Sequence, residues 1–117
     1  MEKLINKEVY IMISDPWEFG SHFGCGPFKC IIKSTKDNKI LLQLFEAIEY
    51  NKTTIEFLIA QSRYGFDIYD ELIKEKNPVT SFTRISKSAY ESSNPFDLSS
   101  WRGGLAFLGT LHLKKPK

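Results

Sequence analysis

Apolar residues recur at every second position in several short runs of this chain, and that period of two predicts strands. Residues 7–14 place Val9, Ile11 and Ile13 on one side and Tyr10 and Met12 on the other. Residues 28–34, 40–50, 53–61, 79–86 and 105–113 read as five further strands, bounded by polar or glycine-containing turns. In the fourth strand, Ile55, Phe57 and Ile59 alternate against Thr54, Glu56 and Leu58. The third is rich in Leu, Gln, Glu and Ala, which also suit a helix. The turns on either side of it, at 35–39 and Asn51-Lys52, favour a strand that continues into a hairpin. In the last run, Gly109 permits a bend or a close backbone approach.

A different period appears once. Over 67–76, Asp67 can cap a helix, Asp70 and Lys74 are spaced i,i+4, and Asn77-Pro78 ends the segment. Tyr69, Leu72, Ile73 and Lys76 share a face expected to cover an open end or edge of the sheet. Two hexads repeat one pattern: Ser14-Asp15-Pro16-Trp17-Glu18-Phe19 and Ser93-Asn94-Pro95-Phe96-Asp97-Leu98. Each has a capping Asx, a Pro suited to the first helical turn and an acid three residues after the cap, so each predicts a short helical turn. The expected fold is mainly β with minor α. It is a small six-stranded, strongly bent antiparallel sheet or partly open barrel, with one covering helix and two short helical turns.

Composition adds the scale. The 117 residues are 42% hydrophobic and 14% aromatic, which predicts a single domain over 1–117 with one aromatic-rich core. The net charge is +2, with a basic tail at 114–117 that reads as solvated. Elsewhere Lys alternates with acid, so no basic face for nucleic acid is expected. Neither a signal peptide nor a stretch of ~20 apolar residues is visible, which predicts a soluble cytoplasmic protein with no membrane partner. Cys25 and Cys30 are then expected as free thiols.

The candidate chemistry is sparse. His22, Cys25 and Cys30 are metal-ligand types, but they lack a Cys-x2-Cys knuckle and need His112 or Glu18 as a fourth ligand, so no metal is expected. Gly20, Gly24 and Gly26 do not match a phosphate-binding fingerprint, and no cofactor is expected. Cys25 with His22 or His112 as a base lacks the orienting group and oxyanion donors that catalysis requires, Glu46 and Glu49 are an acidic pair that only the fold could bring together, and no catalytic residue is assigned.

Binding is the better-supported class. Around the hexads, Trp17, Glu18, Phe96, Asp97, Trp101 and Arg102 combine aromatics with charge, as interface anchors do. The structural alternative is two capped turns whose aromatics plug the barrel ends. Arg63 beside Tyr64, and Arg102 beside Trp101, pair a guanidinium with an aromatic plane and suit an anion or nucleotide pocket, but the favoured reading is that they pair with Asp and Glu at loop ends. In size, mixed charge and lack of a catalytic signature, the chain resembles the small accessory proteins of bacteria, including immunity proteins. The first expectation is a non-enzymatic binding protein with a protein partner. The second is a small-ligand or anion-binding barrel that uses Arg63, Arg84 or Arg102 with Trp17 or Trp101. A small enzyme comes third.

Overall fold

Six antiparallel strands close into a barrel in chain order. They are β1 (Glu8–Asp15), β2 (Phe28–Lys36), β3 (Lys39–Tyr50), β4 (Thr53–Ser62), β5 (Val79–Ile85) and β6 (Ala106–His112). The computed structural model describes residues 2–15, 26–50, 52–97 and 106–116. Closure comes from β1 against β6, where Ile13 pairs with Gly109 and Ile11 with Leu111. A Cβ on Gly109 would collide with the Met12 carbonyl oxygen, so this seam needs glycine for close approach. The expectation left open whether the sheet bends or closes. Hydrogen bonding around the full circle removes the exposed edges that a six-stranded sheet would otherwise carry.

The alternating residues fill the interior as expected. Val9, Ile11, Ile13, Cys30, Ile32 and Leu42 are among the buried inward-facing residues of one contiguous cluster, which also contains Phe82 stacked on Phe107 at 5.4 Å. On β4 the expected division is corrected. Ile55, Leu58 and Ala60 belong to the interior cluster, whereas Phe57 and Ile59 belong to a second cluster with Leu41, Ile85 and Phe96. The cause is a large bulge. Gln43 pairs with Phe57 and Ile48 with Ile55, so residues 44–47 lie opposite Glu56 alone and the inward parity of β4 slips there.

The second cluster lies on the outer wall. Its cover includes α2 (Lys87–Tyr90), a single turn capped by the Ser86 hydroxyl, which accepts the Ala89 N–H at 3.1 Å. Tyr90 stacks on Phe57 with centroids 4.0 Å apart. The second short helical turn was expected on the hexad at 94–97. There the chain forms only a turn, with the Asp97 N–H donating to the Asn94 carbonyl at 3.2 Å. The helical residues come one segment earlier, where Ser86 supplies the cap. The first hexad turn, at 16–19, lies outside the described residues.

One mouth of the barrel is covered by α1 (Ile68–Ile73). Asp67 caps it as expected, with Oδ1 accepting from the Tyr69 and Asp70 N–H groups at 3.0 and 3.2 Å. The Asp70–Lys74 pair forms at 3.2 Å. The helix is shorter than the expected 67–76, because Glu75 (φ 57°) and Asn77 (φ 50°) leave the helical region. Its buried residues are Ile68, Tyr69 and Leu72, whereas Ile73 and Lys76, expected on the covering face, are exposed. Leu4, at the end of a 3-10 turn (Glu2–Leu4), joins the same cluster. No described helix is long and apolar enough to cross a membrane.

Candidate functional site

The connection from β4 to α1 crosses the covered mouth and carries two exposed aromatics. Tyr64 is 67% and Phe66 57% exposed, with their rings edge-on at 6.4 Å. The Arg63 guanidinium lies 5.9 Å from the centre of the Tyr64 ring, the aromatic and cation pairing expected from their adjacency. Beside them is a surface groove of about 190 Å³, walled by Tyr64, Phe66, Pro78 and Val79 and rimmed by Glu71 and Lys76. Val79 is 41% exposed at the first position of β5.

This shelf is held by a polar frame. Asp37 and Asn38, at φ 50° and 62°, form the two-residue turn between β2 and β3. From that turn the Asn38 amide donates to the Phe66 carbonyl at 2.8 Å, and its Oδ1 accepts the Ile68 N–H at 2.8 Å. The Ser62 hydroxyl accepts the Phe66 N–H at 3.1 Å, and the Arg63 N–H donates to the Val79 carbonyl at 2.9 Å. The Tyr69 hydroxyl donates to the Lys39 carbonyl at 2.8 Å, tying α1 to the same hairpin. The loop is thereby held by the Asn38 side chain from 28 and 30 positions away and by local bonds from Ser62 and Val79, while the rings stay in solvent.

The other candidate residues are placed differently. Phe96 is 7% exposed and packs in the outer-wall cluster, which corrects both the expectation of an exposed interface anchor and that of an aromatic plugging a barrel end. Trp17, Glu18, Trp101 and Arg102 lie outside the described residues, as do His22 and Cys25. Arg84 is apart from Arg63: it leaves the far end of β5, and its Nε donates to the Thr54 carbonyl at 3.0 Å. Cys30 is buried in β2, and burial pushes its thiol up to about 12. His112 is in β6 with Nε2 2.7 Å from the Thr110 hydroxyl, and burial lowers its pKa. Among the described residues no three His, Cys, Asp or Glu side chains gather as a metal set.

A second surface groove, about 320 Å³, runs past Pro27, Phe28, Leu44 and Phe45. Its cation is already engaged. Lys29 Nζ lies 4.6 Å from the centre of the half-exposed Phe45 ring and 3.2 Å from Glu8 Oε1. Arg63, by contrast, forms no ion pair among the described residues, which corrects the expectation that it pairs with a loop-end acid. Arg63 and Tyr64 were visible in the sequence as a pair, whereas Phe66, Val79 and the supporting Asn38 were not singled out. No protein-family model, curated protein or solved structure matches the chain.

Proposed function

We propose that this chain is a non-enzymatic binding protein that engages a protein partner, with the Arg63–Tyr64–Phe66–Val79 shelf as a docking surface. The observation that carries this reading is that Tyr64 and Phe66 are both more than half exposed while their backbone is pinned by Asn38, Ser62 and Val79. Fully burying one large apolar side chain is worth roughly 1.5–3 kcal/mol, and this fold leaves more than half of the surface of two neighbouring rings exposed. Rigid, exposed aromatics beside an Arg are the composition of interface anchors. Pre-ordering the loop also lowers the entropy lost on docking.

The test is capture from extracts of the native host with the full chain as bait, alongside a Tyr64→Ala/Phe66→Ala double variant. A partner recovered by the wild type and lost by the variant, with an unchanged melting temperature, is the expected result. Equal recovery of the same partner by both would remove the shelf from the binding surface. The surface near the Asx-Pro segments, with Trp17, Glu18, Trp101 and Arg102, is the alternative location. Trp17→Ala and Trp101→Ala baits run in parallel discriminate between them.

The small-ligand alternative draws on the guanidinium beside the Tyr64 ring. Against it, a groove of about 190 Å³ falls below the roughly 300–1,000 Å³ of ordinary ligand pockets, and Arg84 is engaged elsewhere.

A further inference from the structure

We infer, resting on the docking reading of the shelf, that the partner segment seated there is acidic and carries one large apolar side chain. The first support is charge. Along α1 and the end of β6 the lysines are matched: Lys74 with Asp70 at 3.2 Å, Lys76 with Glu71 at 3.9 Å and Lys114 with Glu75 at 3.5 Å. Glu71, the acid on the groove rim, is therefore offset by Lys76. The charges on the loop, on its supporting turn and at the helix cap with no ion pair among the described residues are Arg63, Lys36 and Lys39 against Asp37 and Asp67. Asp67 is already turned onto two helix amides. Cations exceed anions by one, and the bond from Asn38 to the Phe66 carbonyl ties the Lys36–Lys39 turn to the backbone of the loop that carries the rings.

The second support is shape. The groove has room for a side chain rather than a cofactor, and its lining divides between the apolar or aromatic Tyr64, Phe66, Pro78 and Val79 and the polar Ser62, Glu71, Lys76 and Asn77. A buried apolar anchor surrounded by complementary charge is the usual division of labour in an interface, with the anchor supplying affinity and the charges supplying orientation and encounter rate. At 5.9 Å from the Tyr64 ring centre and with no ion pair among the described residues, the planar Arg63 fork is able to take a carboxylate through two parallel N–H bonds.

The test is selection of a phage-displayed random peptide library against the immobilised full chain, followed by measurement of the selected peptides on variants. The expected pool is enriched in Asp and Glu around an aromatic or Leu residue. Those peptides weaken about tenfold on Arg63→Glu and weaken further as salt rises past the point where the Debye length is ~10 Å. Arg63 is exposed, so an unchanged melting temperature for Arg63→Glu verifies the fold. A neutral or basic pool, an empty pool, or acidic peptides indifferent to Arg63→Glu would overturn the inference and leave the docking reading to the capture experiment. Acidic peptides that bind Tyr64→Ala/Phe66→Ala as well as wild type would overturn both. A single-stranded oligonucleotide that displaces the peptides more strongly than poly-glutamate would assign Arg63 and the Lys36–Lys39 turn to nucleic acid and also overturn the inference.

Discussion

Burial pushes the Cys30 thiol up to about 12 from an ordinary 9.0, because a thiolate inside the barrel would lose its water and find only the Phe28 carbonyl, 3.6 Å from Sγ. The folded pKa lies above the unfolded one. Stability from this group is therefore complete below pH 9 and is lost as pH rises from 9 toward 12, with a slope that approaches about 1.4 kcal/mol per pH unit for one proton. Burial also raises Tyr69, ordinarily 10.0, and its contribution has the same sign with an onset one unit higher. Urea unfolding between pH 8 and about 10.5 should show a stability decline that is shallower in Cys30→Ala from pH 9 upward. In Tyr69→Phe only the part above pH 10 should be relieved. An identical pH profile in Cys30→Ala and wild type would mean that the thiol is solvated in the folded state. The neutral, buried thiol is also a poor nucleophile or metal ligand, which leaves Cys30 a packing role.

Between elements, Asn38 does more than any one cap. It closes the β2–β3 turn in the left-handed region, where Asn is tolerated, and spans to the carbonyl of Phe66 and the N–H of Ile68. Asn38→Gly keeps the turn conformation but removes both bonds, and should cost about 1–3 kcal/mol at a net value of roughly 0.5–1.5 each. Asn38→Ala should cost more, since it adds backbone strain to the same loss. Chemical denaturation measures the difference, and faster hydrogen exchange at Phe66 and Ile68 in Asn38→Gly would show that the shelf has loosened. The strands themselves were legible because Val9-x-Ile11-x-Ile13 and its counterparts repeat locally, and Asp67 announced α1 within four residues. Phe57 and Ile59 misled the reading of β4 because apolar residues occupy both of its faces, and only the bulge at 44–47 decides which face is inside. Arg63 and Tyr64 were visible as neighbours, but Asn38 meets Phe66 across 28 positions, a contact that no local pattern encodes.

For the molecule as a whole, two apolar clusters share one sheet but differ in what surrounds them. The interior cluster is enclosed by all six strands and stoppered by Leu4, Ile68 and Leu72, whereas the outer cluster is covered from one side by Phe96, Ala89 and Tyr90. All six strands contribute side chains to the first cluster, whereas α2 and the turn at 94–97 pack on the second. Phe82→Ala should therefore cost about 3–5 kcal/mol and lower the stability of the whole barrel, because the cavity sits where the ring stacks on Phe107 and the walls cannot collapse around it. Phe96→Ala removes a ring that is 7% exposed at the surface of its cluster, where solvent can fill the space, so a loss nearer 2 kcal/mol is expected. Native-state hydrogen exchange separates the cases. In Phe96→Ala the amides of Tyr90, Glu91 and Ser92, bonded to the carbonyls of Ser86, Lys87 and Ala89, should exchange faster while those of the β1–β6 seam keep their protection. In Phe82→Ala both sets should accelerate together. Equal acceleration of both sets in Phe96→Ala would instead mean that the outer cover and the closed barrel unfold as one cooperative unit.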